Sequence, residues 1–588
     1  MRALEVDDRV GAARACALAM LVLIVVAEAA ASLTWILANK LMPQLAMSAA
    51  LCAALIAWTW QAAVMPRRNA SISLVLLLLL AGGCLGMAML FHDLSFDGQQ
   101  YHQQGALALA GGWNPYRGGA YIGPYEQWIN GYAKGVWTWA ALFPALNLSV
   151  ELGKSINLAL AATGGLCTFD LLRNRLRLNR WRSWIVSTTA MACPVVATQW
   201  TTFTNDGIVG SLMLIFVTCA VALARADGQR THWELAMLAL VLCLLPLVKG
   251  SGAVYGALLW GLLALGLAWF ANRWQAWRWA VCGGGALAVG ILLLGFNPYV
   301  TNLLRHGHSL YPLAGAGKVD IITPNAPTGI LEHGRLAKLL GSVFSRSHSE
   351  FDPVYPSTVE SALRMKMPGA VYADEIIAFT TKTDVRIGGF GPLFGLEFLL
   401  GSAAFVVALR TRHPRTKLCA ALFVPVALLM TSFAFPEPWW ARYVPQLWLV
   451  PLGFAVALWI LDPLRPAALW LAWCVVWVAA VDALVVAGSF VAGSALRELD
   501  HRAQLQSLRE IGERIGPVIV EFGQTPSLAH RLSMRGVRWQ AATDQACTSG
   551  WQPIEFTGAR VCLTDPGRTL YVKESPSVSA LKRALGRD

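Results

Sequence analysis

Apolar residues run along this chain in long blocks divided by short polar breaks, not in stripes repeating every three or four positions. Such blocks lie near 13–36, 44–64, 70–91, 149–171, 183–201, 207–225, 234–249, 252–271, 279–296, 389–409, 418–435, 443–461 and 467–493. Each approaches the roughly 20 residues a helix needs to cross a bilayer. The pattern therefore predicts an all-α polytopic membrane protein of about 13 transmembrane helices. The first block follows Glu5, Asp7 and Asp8 and lacks a clean small-residue cleavage site, so it reads as a retained span, not a signal peptide.

Beyond the last block the pattern changes. Charges are spread throughout 494–588, Val518-Ile519-Val520-Glu521-Phe522 is strand-like, and Asp565-Pro566-Gly567 is turn-like. The expectation is a transmembrane module over 1–493 with large outer loops at 92–148 and 297–388, then a small C-terminal α/β extracytoplasmic domain over 494–588.

Composition supports lipid as the solvent: 56% of the 588 residues are apolar or aromatic and 14% are charged, against about 25% charged in an ordinary soluble domain. The net charge of +13 does not point to nucleic acid, because many of the basic residues cluster in short loops between blocks. Examples are Arg67-Arg68, the run Arg173, Arg175, Arg177, Arg180 and Arg182, the pair Arg273 and Arg278, and Arg410, Arg412, Arg415 and Lys417. With the N-terminus inside, all of these fall on the cytoplasmic face, as the positive-inside bias requires. The segments 92–148, 201–206, 297–388, 435–442 and 494–588 then lie outside. Ten of the twelve cysteines sit in or beside apolar blocks as small hydrophobes. Cys547 and Cys562 lie in the tail, where an oxidising compartment favours a disulfide over two buried thiols.

The polar segment richest in chemistry is His92-Asp93-Leu94-Ser95-Phe96-Asp97-Gly98-Gln99-Gln100-Tyr101-His102, where the third span leaves the membrane. A short helix from Gln103 to Ala110, a Gly111-Gly112 stop and Trp113-Asn114-Pro115-Tyr116 follow. Asp97 reads as a helix N-cap or as a catalytic base. A cap alone leaves Asp93, His92, Tyr101 and His102 unexplained, which favours the base. Trp128, Trp137 and Trp139 fit an interfacial aromatic belt. Asp206, in Thr204-Asn205-Asp206-Gly207, suits a cap or a substrate contact. Lys249, beside Gly250, Ser251 and Gly252, suits an anion more than simple snorkelling.

Further on, Asn297-Pro298-Tyr299 leads to Arg305-His306-Gly307-His308-Ser309 and Tyr311-Pro312. His306 and His308 would share a face of a strand, but without a third ligand they make a weak metal signal. Arg305 suits a phosphate better. Arg442, inside Pro436-Glu437-Pro438-Trp439-Trp440-Ala441-Arg442-Tyr443, is a second phosphate candidate at the predicted depth of Asp97.

With these motifs in view, residues 65–460 resemble the GT-C superfamily of integral membrane glycosyltransferases, of the protein mannosyltransferase and aminoarabinose transferase type. Asp97-Gly98-Gln99-Gln100-Tyr101 stands where such enzymes carry an Asp-Glu-x-x-Tyr-like motif, and Ala441-Arg442-Tyr443 also looks like a bacterial relative's feature. Two departures stand out: Gly98 replaces the second acid, and extra spans precede the motif-bearing loop.

The resemblance implies an inverting hexosyl or pentosyl transferase of the bacterial inner membrane, working at its extracytoplasmic face in building the cell envelope or its polysaccharide. It would move sugar from a polyprenyl-phosphate donor to a hydroxyl of a glycan, lipid or protein, among membrane lipid and without nucleic acid. Asp97 is the implied catalytic base with Asp93 as its understudy. Tyr101, His102, Asn114, Asp206, Lys249, Arg305, His308, Tyr311 and Arg442 are candidates for substrate binding. No cofactor is assigned, and no ligand motif supports a divalent metal. The competing classes are a lipid-linked oligosaccharide flippase or transporter, using charges such as Glu28, Lys154, Asp170, Glu397 and Asp482, and a polysaccharide polymerase or ligase relying on Arg305, His306 and His308. A receptor or scaffold without catalysis completes the set.

Overall fold

A computed structural model describes residues 9–225, 231–270, 273–327, 329–349, 363–462, 465–542, 547 and 550–584. Among them, nine helices are long and apolar enough to cross a membrane, from Gly11–Ala38 to Pro466–Arg514, and three shorter apolar helices join them: His232–Val248, Phe394–Leu409 and Pro445–Leu461. The chain is a multi-pass membrane protein. Its outer helices show lipid the residues that a soluble protein would hide. Leu51, Leu55 and Ile56 of Pro43–Ala62, and Val75, Leu78 and Leu79 of Arg67–Leu90, are exposed, while Ala46, Ala50, Cys84 and Ala88 face inward. Small residues on the inner face let the helices approach closely, the usual arrangement where lipid removes the hydrophobic drive between helices.

The count of 13 full-length helices is corrected at 183–201. There the helix Arg180–Met191 spans only 12 residues and gives way at Cys193-Pro194 to a four-residue turn, Pro194–Ala197. Serine, threonine and proline in this stretch cannot sustain a 20-residue apolar helix. The chain nonetheless returns across the bundle. It leaves the end carrying Arg175, which pairs with Glu234 at 2.7 Å, and reaches the end carrying Asp93, whose carboxylate accepts the Phe203 N–H at 2.7 Å.

The predicted helix Gln103–Ala110 forms with those bounds and stops at Gly111-Gly112, where Gly112 takes a φ of +105°. The final span runs on without a break as a 49-residue helix, Pro466–Arg514, about 70 Å long at 1.5 Å per residue. Its last turns, through Leu505, Leu508 and Ile511, form the core of the tail with Val518, Val520, Leu528, Leu532 and Val561. The tail carries a sheet of order β2-β1-β4-β3. β1 (Val518–Glu521) is parallel to β2 (Trp539–Ala541) and antiparallel to β4 (Arg560–Cys562), which in turn is antiparallel to β3 (Trp551–Pro553). Cys562 on β4 is bonded to Cys547 as a disulfide, with Cα atoms 5.6 Å apart. Asp565-Pro566-Gly567 is the first turn of the helix Asp565–Leu570 instead of a free turn, because proline suits the first helical position.

The tail is clamped to the segment that leaves the third span. Arg531 donates to the Asp93 carbonyl at 2.9 Å and to Glu151 at 3.1 Å, and Glu151 also accepts from Lys154 at 2.5 Å. His92 donates through its backbone N–H (2.6 Å) and Nδ1 (2.8 Å) to Glu498 of the long helix, while Arg535 donates to its Nε2. Ser527 donates to the Gln99 carbonyl at 2.7 Å, and Gln99 donates to the Phe556 carbonyl at 2.9 Å. Glu151 thus neutralises two buried cations, and removing one member of such a group costs about 3–5 kcal/mol. We expect Glu151→Gln to lower the thermal unfolding midpoint in detergent and to expose the tail to protease. Wild-type protease resistance in that variant would show that the clamp is dispensable.

Candidate active site

Asp97 stands on the wall of a cavity of about 670 Å³ at the end of the bundle where the tail docks. Its placement begins with Ser95, whose Oγ accepts the Gly98 N–H at 3.2 Å and whose carbonyl accepts that of Gln99. Ser95, not Asp97, caps the turn, and Asp97 makes no capping hydrogen bond. The turn then widens into a π-helix over Gly98–His102, a local widening often found at functional sites. Asp93 lies behind it, fully buried, with Oδ1 on the Ser95 N–H (2.8 Å) and Oδ2 on that of Phe203. A Cβ at residue 98 would sit 1.8 Å from the Asp93 carboxylate. Glycine where a second acid was expected is therefore a steric requirement of this loop.

Arg442 joins three distant segments. Its Nε donates to Asp206 at 2.9 Å, Nη1 to Asp384 at 3.0 Å and Nη2 to Asp97 at 3.1 Å. Burial alone would lower the Arg442 pKa, but the three carboxylates outweigh it and hold the guanidinium firmly charged. Asp206 binds Lys249 at 2.5 Å through its other oxygen, so it bridges two cations. Burial pulls the Lys249 ammonium below its ordinary range, against the attraction of Asp206. Asp206 is free of capping duty because the Gln199 side chain accepts the Gly207 N–H at 2.7 Å. Lys249 emerges at a helix break whose freed carbonyls are taken up: Asn205 donates to Val248, and the Tyr299 hydroxyl to Pro246. Asp97 keeps Oδ1 without a hydrogen bond among the described residues, and its side chain is 23% exposed.

Of the sequence candidates, Asp97, Tyr101, Lys249 and Arg442 line this cavity, with Asp206 directly behind Arg442. The others lie elsewhere. His102 is buried and accepts the Trp137 indole N–H on Nδ1 at 2.8 Å. Asn114 closes a turn, donating to the Trp35 carbonyl and to Asn39 while accepting from Tyr116. Arg305 is exposed on the helix Phe296–His306. His308 accepts the Leu310 N–H, and Tyr311 accepts from Gln127 and stacks on His306 at 3.8 Å. His306 ends a helix and His308 follows Gly307, so the strand geometry that would give the two histidines one face is absent. Among the described residues no group of three or more His, Cys, Asp or Glu side chains could hold a metal.

Several lining residues carry no signal of their own in the sequence. Asp384 holds Arg442 and accepts the Trp440 indole N–H at 2.7 Å, and Arg386 lies 5.3 Å from the Trp440 ring. Trp128, expected in an aromatic belt, lines the cavity and stacks on Tyr101 at 6.1 Å, whereas Trp137 and Trp139 are buried inside the protein. Gln524, Glu555 and Phe556 reach the cavity from the tail. Among the described residues, five cations (Lys249, Lys382, Arg386, Arg442 and Arg497) and three acids (Asp97, Asp384 and Glu555) line it among aromatic faces. The arrangement suits a ligand that is anionic at one end and rich in hydroxyls at the other.

No family model matches this chain, and no curated protein matches it. A crystal structure of ArnT from Cupriavidus metallidurans bound to undecaprenyl phosphate is similar, with a TM-score of 0.41 and 13% identity, covering 80% of this chain and 86% of that one. At that score the function of this chain is read from its own side chains.

His102 gives the fold a pH-dependent stability. Indole N–H only donates, so Nδ1 is unprotonated, and burial pulls the imidazole down to about 4. Its unfolded counterpart titrates near 6.5, so the unfolded chain binds the extra proton first as pH falls. The stability from neutral His102 is complete above about 6.5 and falls by about 1.4 kcal/mol per pH unit towards 4. We expect His102→Gln to shrink the drop in thermal midpoint between pH 7 and pH 5; an equal drop in both proteins would contradict a neutral buried His102.

Proposed function

We propose that this protein is a lipid-linked sugar transferase, which moves a sugar from a polyprenyl-phosphate donor to an acceptor hydroxyl with inversion at the extracytoplasmic face of the bacterial inner membrane. The observation that carries this reading is Asp97, a carboxylate anchored by Arg442 through one oxygen and open through the other, in a cation-lined cavity beside the ends of membrane helices. A donor whose tail lies in lipid can present its sugar in such a cavity without leaving the bilayer.

The acceptor hydroxyl gives its proton to Asp97 Oδ1 as its oxygen bonds to the anomeric carbon. The bond from that carbon to the phosphate oxygen breaks on the opposite face, and polyprenyl phosphate leaves with the electron pair. Arg442 positions Asp97, while its other N–H groups hold Asp206 and Asp384. The charge on the leaving phosphate is met by fixed cations of the lining, for which Lys249, Lys382 and Arg386 stand on the wall. Trp128 and Tyr101 offer the aromatic face and Gln524 and Glu555 the polar groups that a sugar or acceptor needs. Asp93, with both oxygens on backbone N–H groups, serves to shape the loop in this reading.

The competing classes gain less support. Of the charges such a path would use, Lys154 and Asp170 are closed into ion pairs with Glu151 and Arg14, Glu28 and Asp482 accept the backbone N–H groups of Trp139 and Leu393, and Glu397 is fully buried, which is not how a transport path is lined. Arg305 and His308, which a polymerase or ligase reading needs, stand outside the cavity.

Transfer of labelled sugar from synthetic polyprenyl-phosphate donors tests the proposal. Asp97→Asn should cut turnover by about 10²–10⁴-fold while its thermal midpoint and donor binding stay near wild type. A variant that turns over donor normally would remove Asp97 from the mechanism. Wild-type protein that is inert with every donor yet moves lipid-linked oligosaccharide across vesicles would make it a flippase.

A further inference from the structure

At the opposite end of the bundle, the helix Val150–Arg175 ends in a turn crowded with arginine. Lys154 and Arg175 mark its two ends, about 30 Å apart at 1.5 Å per residue, so this end lies a bilayer's thickness from Asp97. A cavity of about 480 Å³ opens here among Arg175, Arg177, Arg182 and Arg225, with Asn179 and Trp459, and no acid lines it among the described residues. The turn is built, not loose. Arg173 donates to the Leu178 carbonyl at 3.1 Å, and Asn179 caps the next helix by accepting the Arg182 N–H at 2.9 Å. Arg182 lies against the rings of Trp459 and Trp473, at 5.4 and 5.7 Å, which themselves pack edge to face at 5.2 Å. The Nε atoms of Arg175 and Arg182 are buried with no hydrogen-bond partner, and because Glu234 holds Arg175 through Nη2 at 2.7 Å, the positive charge offered to an anion comes mainly from Arg177, Arg182 and Arg225.

A second cavity, of about 280 Å³, continues from the first and shares Leu176, Arg225 and Ile460 with it. Its walls are mainly Leu, Val, Phe and Ala side chains of five apolar helices, including Leu214, Val221, Leu263, Phe423 and Val456. A ligand that fills both has a compact anionic group joined to a hydrocarbon chain. Guanidinium forks match phosphate oxygens in pairs, and basic pockets between membrane helices at the cytoplasmic surface hold anionic lipid headgroups.

We propose that this pair of cavities is a binding site for an anionic glycerophospholipid of the cytoplasmic leaflet, with its phosphodiester on the arginines and an acyl chain in the groove. The site is independent of the transfer chemistry. It would hold together the ends of helices that the bundle itself leaves apart.

Native mass spectrometry of the full chain in detergent, titrated with phosphatidylglycerol and with phosphatidylcholine of the same acyl chains, tests it. Wild type should prefer phosphatidylglycerol by about ten-fold or more, the size expected when two or more arginines act on an anionic headgroup. The double variant Arg177→Gln/Arg225→Gln, whose side chains are exposed and not needed for packing, should lose most of that preference. Val221→Trp should weaken binding of both lipids by filling the groove. Equal binding of the two lipids by wild type, or a preference untouched by the double variant, would overturn the proposal. So would stabilisation by inorganic phosphate alone to the same degree as by phosphatidylglycerol, which would mark a free-anion site, or a preference for polyprenyl phosphate over phosphatidylglycerol at the same arginines.

Discussion

Everything at the Asp97 end of the bundle depends on one guanidinium held by three carboxylates. Asp97, Asp206 and Asp384 reach Arg442 from 345, 236 and 58 residues away along the chain. A planar cation with N–H groups on three edges can satisfy three acids at once, which an ammonium cannot do with the same fixed directions. Lys249 and Arg386 add two more positive charges around the same acids. Among the described residues three carboxyl side chains and three basic ones thereby face one another at this end of the bundle. The cluster also joins five otherwise independent chain segments into one wall.

The tail completes the site through the same kind of economy. Glu151 sits at the start of a membrane helix, yet its two oxygens serve Lys154 of that helix and Arg531 of the tail. Arg531 also takes the carbonyl of Asp93, whose carboxylate holds the loop before the π-turn that presents Asp97. A continuous helix from Pro466 to Arg514 sets the distance between membrane and sheet, so Gln524, Glu555 and Phe556 arrive at the cavity with little freedom. The tail is part of the site's wall and not an appendage of the bundle.

The legible parts of the sequence were those in which physics acts over a short range of chain. Apolar blocks of spanning length, the Gly111-Gly112 stop and the β-branched run at Val518 each announce a local structure, and each forms. The broken crossing at 183–201 was misjudged because average apolarity hides the Ser, Thr and Pro that interrupt it. At the site, Asp97, Asp206, Lys249 and Arg442 stood out as charges at the edges of apolar blocks, and those are brought together. Asn114 and His308 stood out as polar side chains within the long loops, yet their polar atoms are used in turns. Asp384, Arg386 and the tail residues were invisible, since a charge in an ordinary polar segment has no local mark of being long-range partner to Arg442.

In the proposed transfer Asp97 faces a conflict that the cluster resolves. A base must be ionised before it can accept a proton, but an arginine bound too well would make it a poor acceptor. Here Arg442 divides its N–H groups among three acids, and only one of them, through one bond of 3.1 Å, reaches Asp97. The bonds to Asp206 and Asp384 are shorter, at 2.9 and 3.0 Å. Asp97 lines the cavity and keeps one oxygen without a hydrogen bond among the described residues. Proton transfer to that oxygen would leave Arg442 still neutralised by Asp206 and Asp384, so the wall need not rearrange when the charge on Asp97 disappears.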